Sequence, residues 1–147
     1  MSATPLLLFG ATGRMGSEIR RLLAVPDEGA LFTLAACVAS GSVRAECPPG
    51  CRWIEASAFG PKDLESLPPD AVVIDVSLAA GTEALVGALE RVQRAAVLAT
   101  TGLADPLESR IEDLARKAAI VRARNLSLGV AVARRWLASI GTSRSSK

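Results

Sequence analysis

The chain has no histidine and no tyrosine, and only three phenylalanines and two tryptophans. Half of its 147 residues are nonetheless hydrophobic, so a core of one domain's size is expected, and it must be aliphatic. Cys37, Cys47 and Cys51 are an odd number with no histidine to complete a zinc set, so no metal site is expected. Cys47-Pro48-Pro49-Gly50-Cys51 reads as a surface loop. A local disulfide is open there by spacing, but a cytosolic setting disfavours it. An excess of one charge is also lacking: 17 Lys and Arg stand against 15 Asp and Glu, interspersed, which argues against nucleic acid as a partner. No run reaches the roughly eighteen apolar residues of a membrane span. The apolar start has no basic region before it, so neither membrane insertion nor secretion is expected and the cytoplasm is the expected location.

What is present begins with Leu6-Leu7-Leu8-Phe9, a short apolar run of the kind buried on both faces of a parallel sheet. It breaks into Gly10-Ala11-Thr12-Gly13-Arg14-Met15-Gly16 and resumes after Gly16 as a helix carrying Ile19, Leu22 and Leu23 at helical spacing. Three glycines at every third residue between a strand and a helix are a variant of the dinucleotide-phosphate fingerprint. Gly10 allows a sharp turn, Gly13 lets backbone approach a pyrophosphate, and Gly16 lets the helix pack closely. The helix N-terminus then offers free N–H groups and the positive end of its dipole to the phosphates. A Walker-type loop does not fit, because no Lys-Ser/Thr pair follows the glycines.

Downstream, Pro26 to Gly29 reads as a turn and Leu31 to Val38 as a second strand. The region where a dinucleotide fold carries a ribose-binding acid reads Ala39-Ser40-Gly41-Ser42-Val43-Arg44. With no acid there and an arginine nearby, NADPH is expected over NADH. Arg52 to Ile54 reads as a short strand, Asp63 to Leu67 as a helical turn, and Ala71 to Ser77 as the clearest strand in the chain. A helix from Gly81 should bury Ala84, Leu85, Ala88, Leu89 and Val92. Ala95 to Ala99 follows as a strand, then a helix with Asp105 as N-cap and Pro106 at its first position, burying Leu107, Ile111, Leu114 and Ala118. Ala119 to Val121 is the last strand, and Asn125 to Gly129 leads into a final helix through Trp136 and Ile140. This alternation predicts an α/β fold, a Rossmann-type doubly wound parallel sheet in a single domain over residues 1–140, with 141–147 a polar tail.

Four motifs in order carry a resemblance: Gly10 to Gly16, then Val73-Ile74-Asp75-Val76-Ser77 with Gly81-Thr82, then Thr100-Thr101-Gly102-Leu103, then Asn125 to Val130. Together they resemble the amino-terminal, cofactor-binding half of the dihydrodipicolinate reductases, which reduce a cyclic dicarboxylate with NADH or NADPH on the bacterial route to diaminopimelate and lysine. The resemblance implies that Gly10, Ala11, Thr12, Gly13, Arg14, Met15 and Gly16 hold the pyrophosphate. It puts Ala39, with Ser40 beside it, at the position of the ribose-binding acid. It implies that Ala99, Thr100 and Thr101 meet the nicotinamide, and that Ala123, Arg124, Asn125 and Leu126 close over it. Ala99 replaces a family glycine, Leu126 a usual Phe and Ala131 a usual Asn.

The resemblance also implies a second domain bearing a His-His pair, a nearby Lys and a Ser-Gly-Thr that grips the substrate carboxylate. The histidine-free sequence contains none of these, and Lys62, Lys117 and Lys147 read as solvated surface cations. The expectation is a chain that binds the dinucleotide, has no catalytic residue of its own and exposes apolar surface near Leu137 and Ile140, and that is either truncated or complemented by a partner chain supplying the missing half. Two other readings stand beside it. One is a stand-alone NAD(P)-binding sensor of the atypical short-chain dehydrogenase type, whose usual Tyr-x-x-x-Lys chemistry the absence of tyrosine excludes; the other is an α/β interaction module that binds no nucleotide.

Overall fold

A computed structural model describes residues 3–25, 31–41 and 48–124. Six strands form one sheet: β1 (Thr4–Phe9), β2 (Phe32–Ala39), β3 (Arg52–Glu55), β4 (Val72–Asp75), β5 (Ala96–Leu98) and β6 (Ile120–Arg122). All neighbouring pairs are parallel and the order is β3-β2-β1-β4-β5-β6, the Rossmann arrangement expected. The order reverses between β1 and β4, so a crevice opens where their carboxyl ends diverge.

Four helices accompany the sheet: α1 (Arg14–Leu23), α2 (Pro61–Glu65), α3 (Ala79–Leu89) and α4 (Asp105–Ala115). The period of two in β1 sends Leu7 and Phe9 to one face and Leu6 and Leu8 to the other, and all four are buried. The Leu7 face is thick, taking Leu64 of α2, Leu85 and Leu89 of α3 and Ile111 and Leu114 of α4. The opposite face packs on Ile19 and Leu23 of α1, and Val72, Ile74 and Val76 along β4 stay only partly buried there. With both faces of β1 covered, its apolar run is continuous rather than alternating.

Several element boundaries differ from the sequence reading. α1 begins at Arg14, so Arg14, Met15 and Gly16 are its first turn rather than part of the loop. α3 begins at Ala79; its buried side carries Thr82, Leu85, Val86, Ala88 and Leu89, and Ala84 is exposed rather than part of the core stripe. α4 has Ala104 as N-cap; Asp105 and Pro106 lie in the first turn, where the carboxylate complements the helix dipole. α2 starts two residues early because Pro61 suits a first helical position and the Asp63 carboxylate accepts the Gly60 N–H at 3.0 Å. The turn at Pro26 to Gly29, the segment Ser42 to Cys47, and everything from Asn125 onward, including the final helix, Leu137, Ile140 and the tail, lie outside the described residues.

Two polar fastenings were not foreseen. Arg94 donates to the carbonyls of Leu64, Leu67, Pro68 and Pro69 at 2.9–3.2 Å, gathering the turn between α2 and β4. Arg122 reaches Leu98 O at 3.0 Å and the Glu108 carboxylate at 2.8 and 3.1 Å, joining β6 to β5 and α4. Cys51 Sγ lies 3.7 Å from Cys37 Sγ, so the thiol beside Cys51 comes from β2; Cys47 is outside the described residues. Among the described residues, no group of three or more His, Cys, Asp or Glu could hold a metal, and no helix is long and apolar enough to cross a membrane.

Candidate functional site

The crevice at the carboxyl ends of the strands is a groove of about 1160 Å³. Its floor is the turn from β1 into α1. Gly10 has φ +87°, and a Cβ on it would come within 2.8–2.9 Å of the Val76 and Ser77 backbone, so only glycine fits. Its N–H and that of Ala11 both donate to Val38 O, at 2.9 and 3.0 Å, and the Gly13 N–H donates to Gly10 O at 3.1 Å. These three amides are spent on the turn itself. That corrects a loop-wide cradle to a narrower one, because the first intrahelical bond runs from Ser17 N–H to Gly13 O and leaves Arg14, Met15 and Gly16 without intrahelical acceptors. No side chain caps the helix at Gly13. Arg20, one face further along α1, donates through Nε to Ala11 O at 3.0 Å and holds the turn against the helix.

The three glycines have different physical tasks. A Cβ on Gly16 would land on Gly10 O and within 2.8 Å of the Ala11 backbone, so this glycine permits backbone-on-backbone packing of helix against turn. Gly13 has ordinary extended dihedrals, φ −67° and ψ 171°, and a Cβ there would meet only Gly10 O at 3.3 Å before entering the groove. Its conformation therefore does not require glycine.

Of the residues picked out from the sequence, Gly10, Thr12, Gly13, Arg14, Met15, Ala39, Ser40, Ala99, Thr100, Thr101 and Arg124 line this one groove. Ala11 and Gly16 are buried beneath it, Ala123 does not line it, and Asn125 and Leu126 are outside the described residues. Arg14 and Arg124 are both exposed, so two guanidinium groups stand at its walls. Ala99 has negative φ, so alanine is accommodated where the family has glycine, and its N–H donates to Asp75 O at 2.9 Å. At the end of β2 no acid lines the groove among the described residues. Glu55, which pairs in register with Ala39, turns instead to the Gly41 N–H at 3.2 Å.

Sequence reasoning named Val76, Ser77 and Gly81 within a motif but gave them no place in the site, and it missed Leu78, Ala80 and Ala84 on the same wall and Ala56 and Ser57 beside β3. A signal was present: an acid ending an apolar strand, followed by Ser two residues on and Thr seven residues on. Asp75 is fully buried and holds Ser77, Thr82 and Thr100 by hydrogen bonds. Gly81 permits that closeness, since a Cβ there would come within 2.6 Å of Ser77 Oγ.

The comparisons with known proteins bear on the family. Residues 4–126 match the family model described as dihydrodipicolinate reductase, N-terminus. The 4-hydroxy-tetrahydrodipicolinate reductase of Xanthomonas euvesicatoria is 33% identical over 131 residues, covering 89% of this chain and 52% of that protein. The enzyme of the same name from Nitratidesulfovibrio vulgaris, strain Miyazaki F, is 34% identical over 130 residues, covering 88% and 48%. The chain thus spans about half the length of the curated relatives it matches. Among solved structures, an NAD-complexed D-isomer specific 2-hydroxyacid dehydrogenase from Lactobacillus delbrueckii ssp. bulgaricus aligns with 82% of this chain and 45% of its own, at 17% identity and a TM-score of 0.45, too distant a likeness to bear on function. With the glycine turn, the β4 and β5 loops and the family match in agreement, the chain belongs to the dihydrodipicolinate reductase family, to which it contributes the amino-terminal domain.

Proposed function

We propose that this chain is the cofactor-binding half of a dihydrodipicolinate-type reductase, that it binds NADPH in preference to NADH, and that its own residues do not complete hydride transfer. The observation that carries the reading is Gly13. It is a helix N-cap with no side chain, facing a groove, beside three first-turn amides that have no intrahelical acceptor. A diphosphate suits that corner, because the amides donate to its oxygens and the helix dipole favours its charge. Arg14 and Arg124 at the walls add positive charge. The groove also runs from Ala39 and Ser40 on one side to Ala99, Thr100 and Thr101 on the other, as the two ends of a dinucleotide require.

The preference for NADPH rests on the end of β2. A carboxylate there would repel a 2′-phosphate, and the described residues lining the groove include none; Ser40 and Arg14 are among them. Arg44, the cation expected from the sequence, lies outside the described residues. A bound nicotinamide supplies the hydride, but the protein must still place the acceptor carbon and deliver a proton. The groove residues include no histidine or lysine to act as proton donor. We assign that task to the family's second half, supplied by residues beyond this sequence or by a partner chain.

Titrating the purified chain with NADPH and NADH, with cofactor fluorescence as the readout, tests the reading. Saturable binding of both, tighter for NADPH, is expected; absence of binding by either would leave an interaction module as the surviving interpretation. Adding a histidine-bearing second domain from a relative should then restore substrate-dependent NADPH oxidation.

A further inference from the structure

The proposal rests on the dinucleotide reading and deepens it on the nicotinamide side of the groove. Asp75 is fully buried at the end of β4, yet four donors converge on its two oxygens. Oδ1 accepts the Ser77 N–H at 3.0 Å and the Ser77 hydroxyl at 2.6 Å. Oδ2 accepts the Thr82 hydroxyl at 2.6 Å and the Thr100 hydroxyl at 3.1 Å. Those donors come from the loop after β4, the first turns of α3 and the loop after β5. Ser77 and Thr100 line the groove; Asp75 and Thr82 do not.

A carboxylate has about four acceptor positions, and here each has a donor. Among the described residues its hydrogen-bond partners are hydroxyls and an amide, with no cation among them. Burying a charge on neutral donors is expensive, and a purely structural junction of three loops is achieved more cheaply with apolar side chains. The arrangement makes sense if the negative charge and the fixed hydroxyls are both used. We infer that Asp75 is the positioning residue of the nicotinamide end: it fixes Ser77 and Thr100 as a rigid wall and places one negative charge behind them. Its effect passes through residues that touch the ligand, and the adenosine end, built on β2 and β3, receives none of its hydrogen bonds.

Two variants separate this from a general role in stability. D75N removes the charge and replaces an acceptor oxygen with a donor. T82V removes one hydroxyl from the same carboxylate without altering any groove residue, and stands as the test if D75N does not fold. Calorimetric titration would use NADP⁺, NADPH and adenosine 2′,5′-bisphosphate, which carries the adenosine end alone. D75N is expected to weaken both dinucleotides by about tenfold or more and T82V by about threefold. Both should leave the bisphosphate within about twofold of wild type. D75N should also weaken NADP⁺, whose ring is a cation, more than NADPH, whereas T82V, with the charge in place, should weaken the two alike. Equal weakening of bisphosphate and dinucleotides would reduce Asp75 to a structural residue and overturn the inference. So would unchanged dinucleotide binding in the folded variants. If wild type bound none of the three, the dinucleotide reading itself would fall first, an outcome distinct from wild-type binding with no selective loss.

Discussion

The two ends of the groove are built differently. At the β4–β5 end, one buried carboxylate joins two loops and a helix, and the groove wall is held by four hydrogen bonds of 2.6–3.1 Å. At the β2–β3 end, Ser40 and Gly41 are exposed, and among the described residues the loop after β2 is held by a bond from the Gly41 N–H to an exposed Glu55. The contrast suits the tasks proposed for the two ends. Hydride transfer depends on placing one ring face to within a fraction of an ångström, whereas recognising a ribose or its phosphate is a matter of charge and access. The glycine turn lies between the ends and serves both.

That difference can be broken from the middle outward. Gly16→Val should have the largest effect, because the added carbons have backbone in their way: a loss of about 3 kcal/mol in urea unfolding is expected, with both ends failing together. Gly13→Val should cost about 1 kcal/mol in unfolding, since its dihedrals suit any residue but valine is a poorer N-cap and its Cβ meets Gly10 O at 3.3 Å, yet it should lose detectable dinucleotide binding. A G13V protein that binds NADPH as wild type does would move the diphosphate away from this corner. At the adenosine end, Ser40→Asp places an acid beside the ribose position on an exposed residue. It should weaken NADPH by about tenfold and leave NADH unchanged or improved, measured as a ratio of dissociation constants. An unchanged ratio would detach cofactor choice from the end of β2.

The smallest effect is a pH dependence at the far edge of the nicotinamide side. The Arg122 guanidinium, hydrogen-bonded to Glu108, holds that carboxyl below its ordinary 4.5 against the opposing pull of burial. A carboxyl depressed on folding contributes stability above its unfolded value and loses it as pH falls through the folded one. Glu108→Gln should therefore cost about 1 kcal/mol at neutral pH, and the difference from wild type should close as the pH is lowered below 4.5. A gap that persists in acid would point to lost packing instead of charge.

Most of the architecture was legible because burial writes it plainly. Leu6 to Phe9 and Val72 to Ile74 are apolar on both sides, and helices are what cover both sides of a parallel sheet. The boundaries were less legible for local reasons. Gly16 looks like loop until its missing Cβ is seen to let a helical turn rest on Gly10 and Ala11. Ala84 has the right spacing for the core of α3, yet faces the groove because the helix starts earlier and its first turns overhang the strand ends. In the site, the glycine turn was visible as a pattern within a few residues. The partnership of Asp75 with Thr100 was not, since it joins positions 25 residues apart through a fold that neither residue encodes alone.

Arg94 carries a different lesson. The stretch from Leu64 to Pro69 has two prolines and little regular structure, and four of its carbonyls converge on one planar cation. A forked, permanently charged group can satisfy several oxygens at fixed angles, whereas an ammonium can only approach them as a point. The crossover that carries the chain from one half of the sheet to the other is therefore tied off by a side chain contributed after α3. Carbonyls of the earlier half of the chain thus find their donor 25–30 residues further along it, in the later half.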